Sequence, residues 1–364
     1  MGGSGLATTL LGSISVALFL YIYNTKETFV KSPLYETITD SPAPSVFSTA
    51  DVELHRRQRR LLAPGLSETS VSQMCPSIHS KVALTIQRMK EETEEKGAAD
   101  VYKWWTFMTS EITGELTFGQ SFRILEEGKK DEFHNDLGNG GAVLAALRLT
   151  LPFIIKIAEH IPLGIITQAC VARKNTFRRA DEMLTKHRQA VMADADNPQQ
   201  SFFTRFFLAE SEEKLTWQEV RSNALTFLVA GTDTTANTLT YLVWAVCQLP
   251  SVKAILLEEL DRLPKNFDDT HLKSLGYLNQ IIEETLRFYP AVATGLLRIV
   301  PPGGANIAGH QIPGGSTVSC QAYSLQRDPK IFFSPDEFDP ARWENATPEM
   351  KNVMMVWGGG ARGE

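Results

Sequence analysis

Four short stretches of this chain hold residue types that could do chemistry. The first is Ala230-Gly231-Thr232-Asp233-Thr234-Thr235, where a glycine and an acid-alcohol pair interrupt an otherwise apolar run. Glycine inside a helix costs about 1 kcal/mol relative to alanine, and a buried aspartate must find partners, so neither serves helix stability. Two readings stand. The glycine could allow close helix packing, with the hydroxyls bonded back to the preceding turn. Alternatively the helix widens there to admit a small molecule, and Asp233 and Thr234 relay protons to it. The second stretch is Glu284-Thr285-Leu286-Arg287, whose acid and base share one helix face at i,i+3. On a solvated surface such a pair contributes little. The third is Phe338-Asp339-Pro340-Ala341-Arg342-Trp343, and the fourth is Trp357-Gly358-Gly359-Gly360-Ala361-Arg362-Gly363. Read alone, the fourth is a glycine-rich turn; a phosphate cradle would need a following helix or a P-loop lysine, and neither is present.

Long helices must position these residues. Thr216-Trp217-Gln218-Glu219 forms a capping box and opens an apolar run that passes Trp244 with no proline until Pro250, which predicts one long, largely buried helix. Composition and spacing predict further helices over 67–96, 101–118, 131–149, 173–195, 252–263 and 275–288. The segment 35–49 is rich in Pro, Ser and Thr and reads as a loop, after which Asp51 opens a basic helical stretch. Beyond Tyr289-Pro290, Gly and Pro become frequent, and alternation at 307–312 and 317–322 predicts short strands. The fold class expected is mainly α with a small, late β region.

With 364 residues, 43% hydrophobic and 21% charged, the chain has material for one large domain or two ordinary ones. Its 36 basic and 42 acidic residues give a net charge of -6, and no stretch concentrates lysine and arginine, which argues against nucleic acid as a partner. Cys75, Cys170, Cys247 and Cys320 are scattered, with no zinc or disulfide spacing, and read as reduced thiols. Leu6 to Tyr23 carries no charge and is followed by Lys26 and Lys31, the pattern of a short membrane anchor with a cytosolic body. A cleaved signal peptide and a buried core helix are the alternatives; no basic segment precedes the run, which favours the anchor. The expected division is therefore an anchor over 1–23 and a body over 24–364.

The string Leu275 to Pro290 resembles the K helix of the cytochromes P-450 nearly residue for residue. Arg327-Asp328-Pro329, the segment 338–343 and the glycine-rich run follow in that family's order, and the similarity extends from about Tyr35 onward. Thr117-Phe118-Gly119-Gln120-Ser121-Phe122 is most similar to fungal microsomal members of secondary metabolism. The resemblance implies the cytochrome P-450 fold, haem b, and a monooxygenase of the endoplasmic reticulum membrane. Such an enzyme hydroxylates, epoxidises or desaturates an apolar small molecule with O2 and electrons from an NADPH-cytochrome reductase. By the same resemblance Glu284, Arg287 and Arg342 form a buried ionic triad, and Asp233 and Thr234 supply protons. Arg59 and Arg298 pair with haem propionates, while Trp357, Gly360 and Arg362 belong to the loop that presents the iron's cysteine. His55 stands where many members have tryptophan.

Two departures qualify these expectations. Between the anchor and Thr25, members carry a hinge, strands and a helix that are not found here, so the sheet region is expected to be incomplete. The pattern Phe-x-x-Gly-x-Arg-x-Cys aligns with Trp357, Gly360, Arg362 and Glu364, which puts a carboxylate where the cysteine ligand is expected and leaves no assigned metal ligand. A carboxylate is a harder and poorer electron donor than a thiolate. The alternative to an active enzyme is thus an inactive remnant of the fold. A membrane-tethered helical scaffold without haem ancestry is a third reading, which the ordered motifs disfavour.

Overall fold

A computed structural model describes residues 16–363, apart from 25, 27, 40, 42, 152–157, 159, 160, 162 and 210–213. The helices are α1 (residues 16–22), α2 (Leu34–Ile38), α3 (Val52–Leu62), α4 (Glu68–Lys96), α5 (Val101–Phe118), α6 (Ile124–Glu127), α7 (Glu132–Thr150) and α8 (Gly164–Ala193). They continue with α9 (Thr204–Leu208), α10 (Trp217–Gln248), α11 (Pro250–Leu260), α12 (Asp269–Lys273), α13 (Gly276–Phe288), α14 (Ala322–Leu325) and α15 (Pro348–Asn352). The strands are β1 (Val30–Lys31), β2 (Arg298–Ile299), β3 (Ala305–Ile307), β4 (His310–Ile312) and β5 (Thr317–Val318). The architecture is mainly α with a small β region.

Local chemistry sets the helix ends. Ser67, Asp100 and Asp131 each accept a hydrogen bond from the backbone N–H three residues on, which satisfies an otherwise orphan donor at the start of α4, α5 and α7. The box foreseen at Thr216 is reciprocal: Glu219 N–H donates to the Thr216 hydroxyl at 3.2 Å, and Thr216 N–H donates to the Glu219 carboxylate at 2.7 Å. Three predicted boundaries move. The helix expected from Arg173 begins at Gly164, because Ile166, Ala169 and Cys170 bury against Leu144 of α7. The alternation over 307–312 is a hairpin, β3 and β4, turned by Ala308 (φ 52°) and Gly309 (φ 86°), and hydropathy does not reveal that two-residue turn. The strand expected over 317–322 stops at Val318, and α14 starts at Ala322.

The chain forms two compact units, one made of residues 1–32 and 237–364 and the other of 33–236. In the first, β2 lies between β1 and β5, all antiparallel, with Lys31 opposite Arg298 and Arg298 opposite Val318. Its core joins Val16, Phe19, Ile22 and Tyr23 to Val300, Phe332, Val353 and Met355. The Tyr23 hydroxyl donates to the Leu296 carbonyl at 2.7 Å and accepts from Cys320 N–H at 3.0 Å. Of the charge-free run Leu6 to Tyr23, residues 6–15 lie outside the described residues, as do Thr25 and Glu364. No single helix among the described residues is long and apolar enough to cross a membrane. The second unit has its own core, in which Leu62, Phe118, Phe203, Ala180, Leu184 and Leu228 meet.

Candidate functional site

In the first unit, Glu284 and Arg287 project from one face of α13, and both are fully buried. Arg287 donates from Nε and Nη2 to the two carboxylate oxygens of Glu284, each at 2.8 Å. Its remaining donors reach the carbonyls of Gln326 and Pro335 at 2.8 Å and of Glu337 at 3.0 Å, so all five guanidinium N–H groups have acceptors. Arg342 donates from Nε to Glu284 at 3.0 Å and from its other nitrogens to the carbonyls of Phe333, Ser334 and Glu337. Two arginines against one glutamate leave an excess positive charge, and this ring of carbonyl dipoles surrounds it. A desolvated ion pair is tolerable only with such complete pairing. The knot stitches the segment 333–343 to α13. Two of its donors had no assigned role in the sequence: Trp343 Nε1 at 2.9 Å and Asp339 N–H at 2.8 Å, both to Glu284.

The glycine-rich loop is shaped by close approach and by backbone conformation. Gly358 (φ 80°) and Gly360 (φ 65°) adopt the left-handed region that other residues enter at a cost. A Cβ on Gly360 would fall 2.5 Å from the Tyr23 carbonyl oxygen and 2.6 Å from that of Asn24. Trp357 is exposed, and Arg362 lies in a single helical turn over Gly360–Arg362. Arg298, on β2, is buried, with its guanidinium 5.1 Å from the centroid of the Tyr23 ring.

In the second unit, the segment 230–235 lies on α10. Gly231 lets α10 approach α5, since a Cβ there would sit 2.9 Å from the Thr113 hydroxyl. The Thr109 hydroxyl donates to the Thr232 carbonyl at 3.0 Å, and the Thr234 hydroxyl bonds back to the Ala230 carbonyl at 2.6 Å. The first reading of this motif, packing glycine and back-bonded hydroxyls, therefore describes geometry that is present. Asp233 is exposed rather than buried, because it faces away from the α5 contact. Arg59 is exposed on α3; its neighbour Arg57 pairs with Glu219, and Gln58 donates to the Pro44 carbonyl at 2.9 Å.

Sequence reasoning missed a second buried acid. Glu111 of α5 accepts from the Ser121 hydroxyl at 2.8 Å, Phe122 N–H at 3.1 Å and Ile124 N–H at 2.5 Å, with Lys81 Nζ at 3.8 Å. It holds the turn after Gly119, in the stretch that resembles fungal members of the family. Against Gly119, His187 is buried with Nε2 2.6 Å from the Ser201 hydroxyl, and desolvation pushes its pKa down to about 4.

Haem b can be tested against these residues. The left-handed glycines of the loop and buried Arg298 suit the rim of a porphyrin and its carboxylates. The axial position is different. Of the cysteines in the first unit, Cys320 is held as a neutral thiol, burial pushing its pKa up to about 11, and Cys247 is exposed at the end of α10. The residues of the first unit thus suit the periphery of the cofactor, and Cys320, held as a thiol, offers its iron no thiolate. No group of three or more His, Cys, Asp or Glu that could hold a metal occurs among the described residues.

Comparison with known proteins finds the family that these motifs resemble. The cytochrome P450 family model matches residues 13–363. A cytochrome P450 monooxygenase of Aspergillus terreus, tazI, is 42% identical, covering 94% of this chain and 70% of its own length. The cytochrome P450 monooxygenase orf2 of Aspergillus niger is 35% identical over 94% of this chain and 69% of its own length. Among solved structures, the cytochrome P450DA heme domain superposes with a TM-score of 0.79 at 20% identity, covering 96% of this chain and 75% of that one.

Proposed function

The chain belongs to the cytochrome P450 family, and from that premise we propose that it oxidises an apolar small molecule of fungal secondary metabolism. The reaction is hydroxylation, epoxidation or desaturation, with electrons from an NADPH-cytochrome reductase. Bound haem b supplies the oxygen chemistry. The chain's own residues supply position and protons. The Glu284–Arg287–Arg342 knot fixes the segment that leads into the glycine-rich loop, and it is the observation that carries this reading. Arg298 and Arg59 are assigned to the two carboxylates of the cofactor's rim. Asp233, exposed, and Thr234, whose hydroxyl donates to the Ala230 carbonyl, are assigned to the proton path. Thr234→Ala, made in an active form of the protein, is expected to raise oxygen consumption per product formed; unchanged coupling removes Thr234 from the proton path.

A second reading follows from the ligand chemistry. With glutamate at 364 and Cys320 held as a thiol, we propose that the chain forms no haem-thiolate centre. Carbon monoxide difference spectra of the reduced protein and of Glu364→Cys decide it. A thiolate-type band from the unsubstituted protein overturns this reading, and a band only in the variant supports it.

We also assign the protein to the endoplasmic reticulum membrane, held by the start of the charge-free run at Leu6, with its body cytosolic. The charge-free run and the lysines after it support this. Because Val16 to Tyr23 contribute to a core, the informative deletion removes residues 6–15 alone. Release of the protein from the microsomal fraction is expected, and an unchanged distribution overturns the assignment.

A further inference from the structure

Two adjoining recesses run along α8 in the second unit, of about 600 and about 270 Å3, joined at Thr185. One wall is a single stripe of α8 from Arg178 to Met192, ~21 Å long at 1.5 Å per residue. The other wall is Trp217 and Arg221, one turn apart on α10. The acids of this groove are already neutralised within it. Asp181 accepts from Trp217 Nε1 at 3.2 Å and from Arg221 at 2.5 Å, and Glu182 pairs with Arg178 at 2.7 Å.

Lys186 and Arg188 remain. Both are exposed, and neither has a carboxylate within ion-pair distance among the described residues; Arg188 lies over the Trp217 ring at 6.0 Å. The groove therefore presents net positive charge on a chain whose overall charge is -6. Two residues apart on a helix, the two cations point to opposite sides of Thr185, one edging each recess, so they do not converge on a single small anion. Met192, 56% exposed, and Trp217 add apolar surface at one end. The occupant that matches is extended, carries two or more spaced carboxylates, and ends in an apolar side chain.

We propose that this groove docks an acidic peptide segment of a protein partner. The carboxylates sit against Lys186 and Arg188, and an apolar residue rests on Trp217 and Met192. Complementary charge across such a contact steers association and is screened by salt.

The test uses the full chain and a fluorescein-labelled peptide of alternating glutamate and leucine, about seven residues long, enough to span ~21 Å when extended. Anisotropy should report saturable binding that weakens as salt rises. The double variant Lys186→Glu, Arg188→Glu should lose at least about tenfold in affinity, roughly 1.4 kcal/mol. Both positions are exposed, so circular dichroism should be unchanged, and Trp217→Phe should weaken binding by a smaller factor. Absence of binding, or equal affinity of the charge-reversed protein, overturns the proposal. So does charge-dependent binding to phosphatidylserine vesicles without peptide binding, which would assign the groove to a lipid surface. Inorganic phosphate that competes at micromolar concentration would assign it to a small anion and overturn the peptide as well.

Discussion

Glu284 and Glu111 are both fully buried glutamates that pin a loop to a helix, and they solve the same physical problem in different ways. Glu284 faces two guanidiniums and gains an indole and a backbone N–H, so its charge is over-compensated and the surplus is spread over carbonyls. Glu111 accepts chiefly from neutral groups, a hydroxyl and two backbone N–H donors, with one lysine at 3.8 Å that is shared with Glu115 and Glu126. The first arrangement cannot lose its glutamate without stranding two guanidiniums, one of them fully buried. The second can lose its charge and keep most of its hydrogen bonds. Interdependence of charges, rather than burial as such, sets how much a position matters.

The contrast can be broken by mutation. Glu284→Ala strands Arg287 and should cost about 3–5 kcal/mol, read by chemical denaturation. A loss below about 1 kcal/mol would show that water or backbone rearrangement replaces the acid.

His187 sharpens the contrast from the side of neutral burial. Its folded pKa of about 4 lies below the ordinary 6.5, so between those values the unfolded chain binds the proton more readily. The stabilisation is fully present above pH 6.5 and is lost as pH falls toward 4. The drop should be on the order of 3 kcal/mol. His187→Gln should flatten that limb of the stability profile, and an unaltered profile would assign the acid sensitivity elsewhere.

The smallest effect expected is that of Glu111→Gln. An amide keeps an acceptor for Ser121, Phe122 or Ile124 but loses the charge-assisted component, worth about 1.5–3 kcal/mol at most. A cost equal to that of Glu284→Ala would erase the distinction between the two acids.

Much of this was legible in the sequence, for identifiable reasons. The capping box at Thr216 and the start of α5 at Asp100 follow from short-range chemistry, in which a side chain meets backbone three residues away. Glu284, Arg287 and Arg342 were legible because paired arginines and an acid in the motifs Glu-x-x-Arg and Pro-x-Arg-Trp resemble those of a known family. Glu111 was not. An acid within Ser110-Glu111-Ile112-Thr113-Gly114-Glu115 looks like any surface residue until the chain turns back at Ser121 to cover it. Nor could hydropathy tell that Phe19 and Tyr23 would join a packed core, since an apolar run is equally suited to lipid and to protein.

Tyr23 also bears on the order of events as the chain is made. Its hydroxyl ties residue 23 to Leu296 and Cys320, more than 270 positions away. The unit to which it belongs is assembled from the two ends of the sequence, whereas residues 33–236 form an uninterrupted stretch. During synthesis the inner unit can therefore fold as soon as it leaves the ribosome, before its partner's later half exists. The outer unit must wait, with Phe19 and Tyr23 uncovered, and must then close a loop of some two hundred residues; once the intervening chain is folded, its ends no longer diffuse freely, and the entropic cost of that closure falls. The inner unit thus comes first in time, and the aromatic end of α1 is the part of the nascent chain most in need of protection from aggregation.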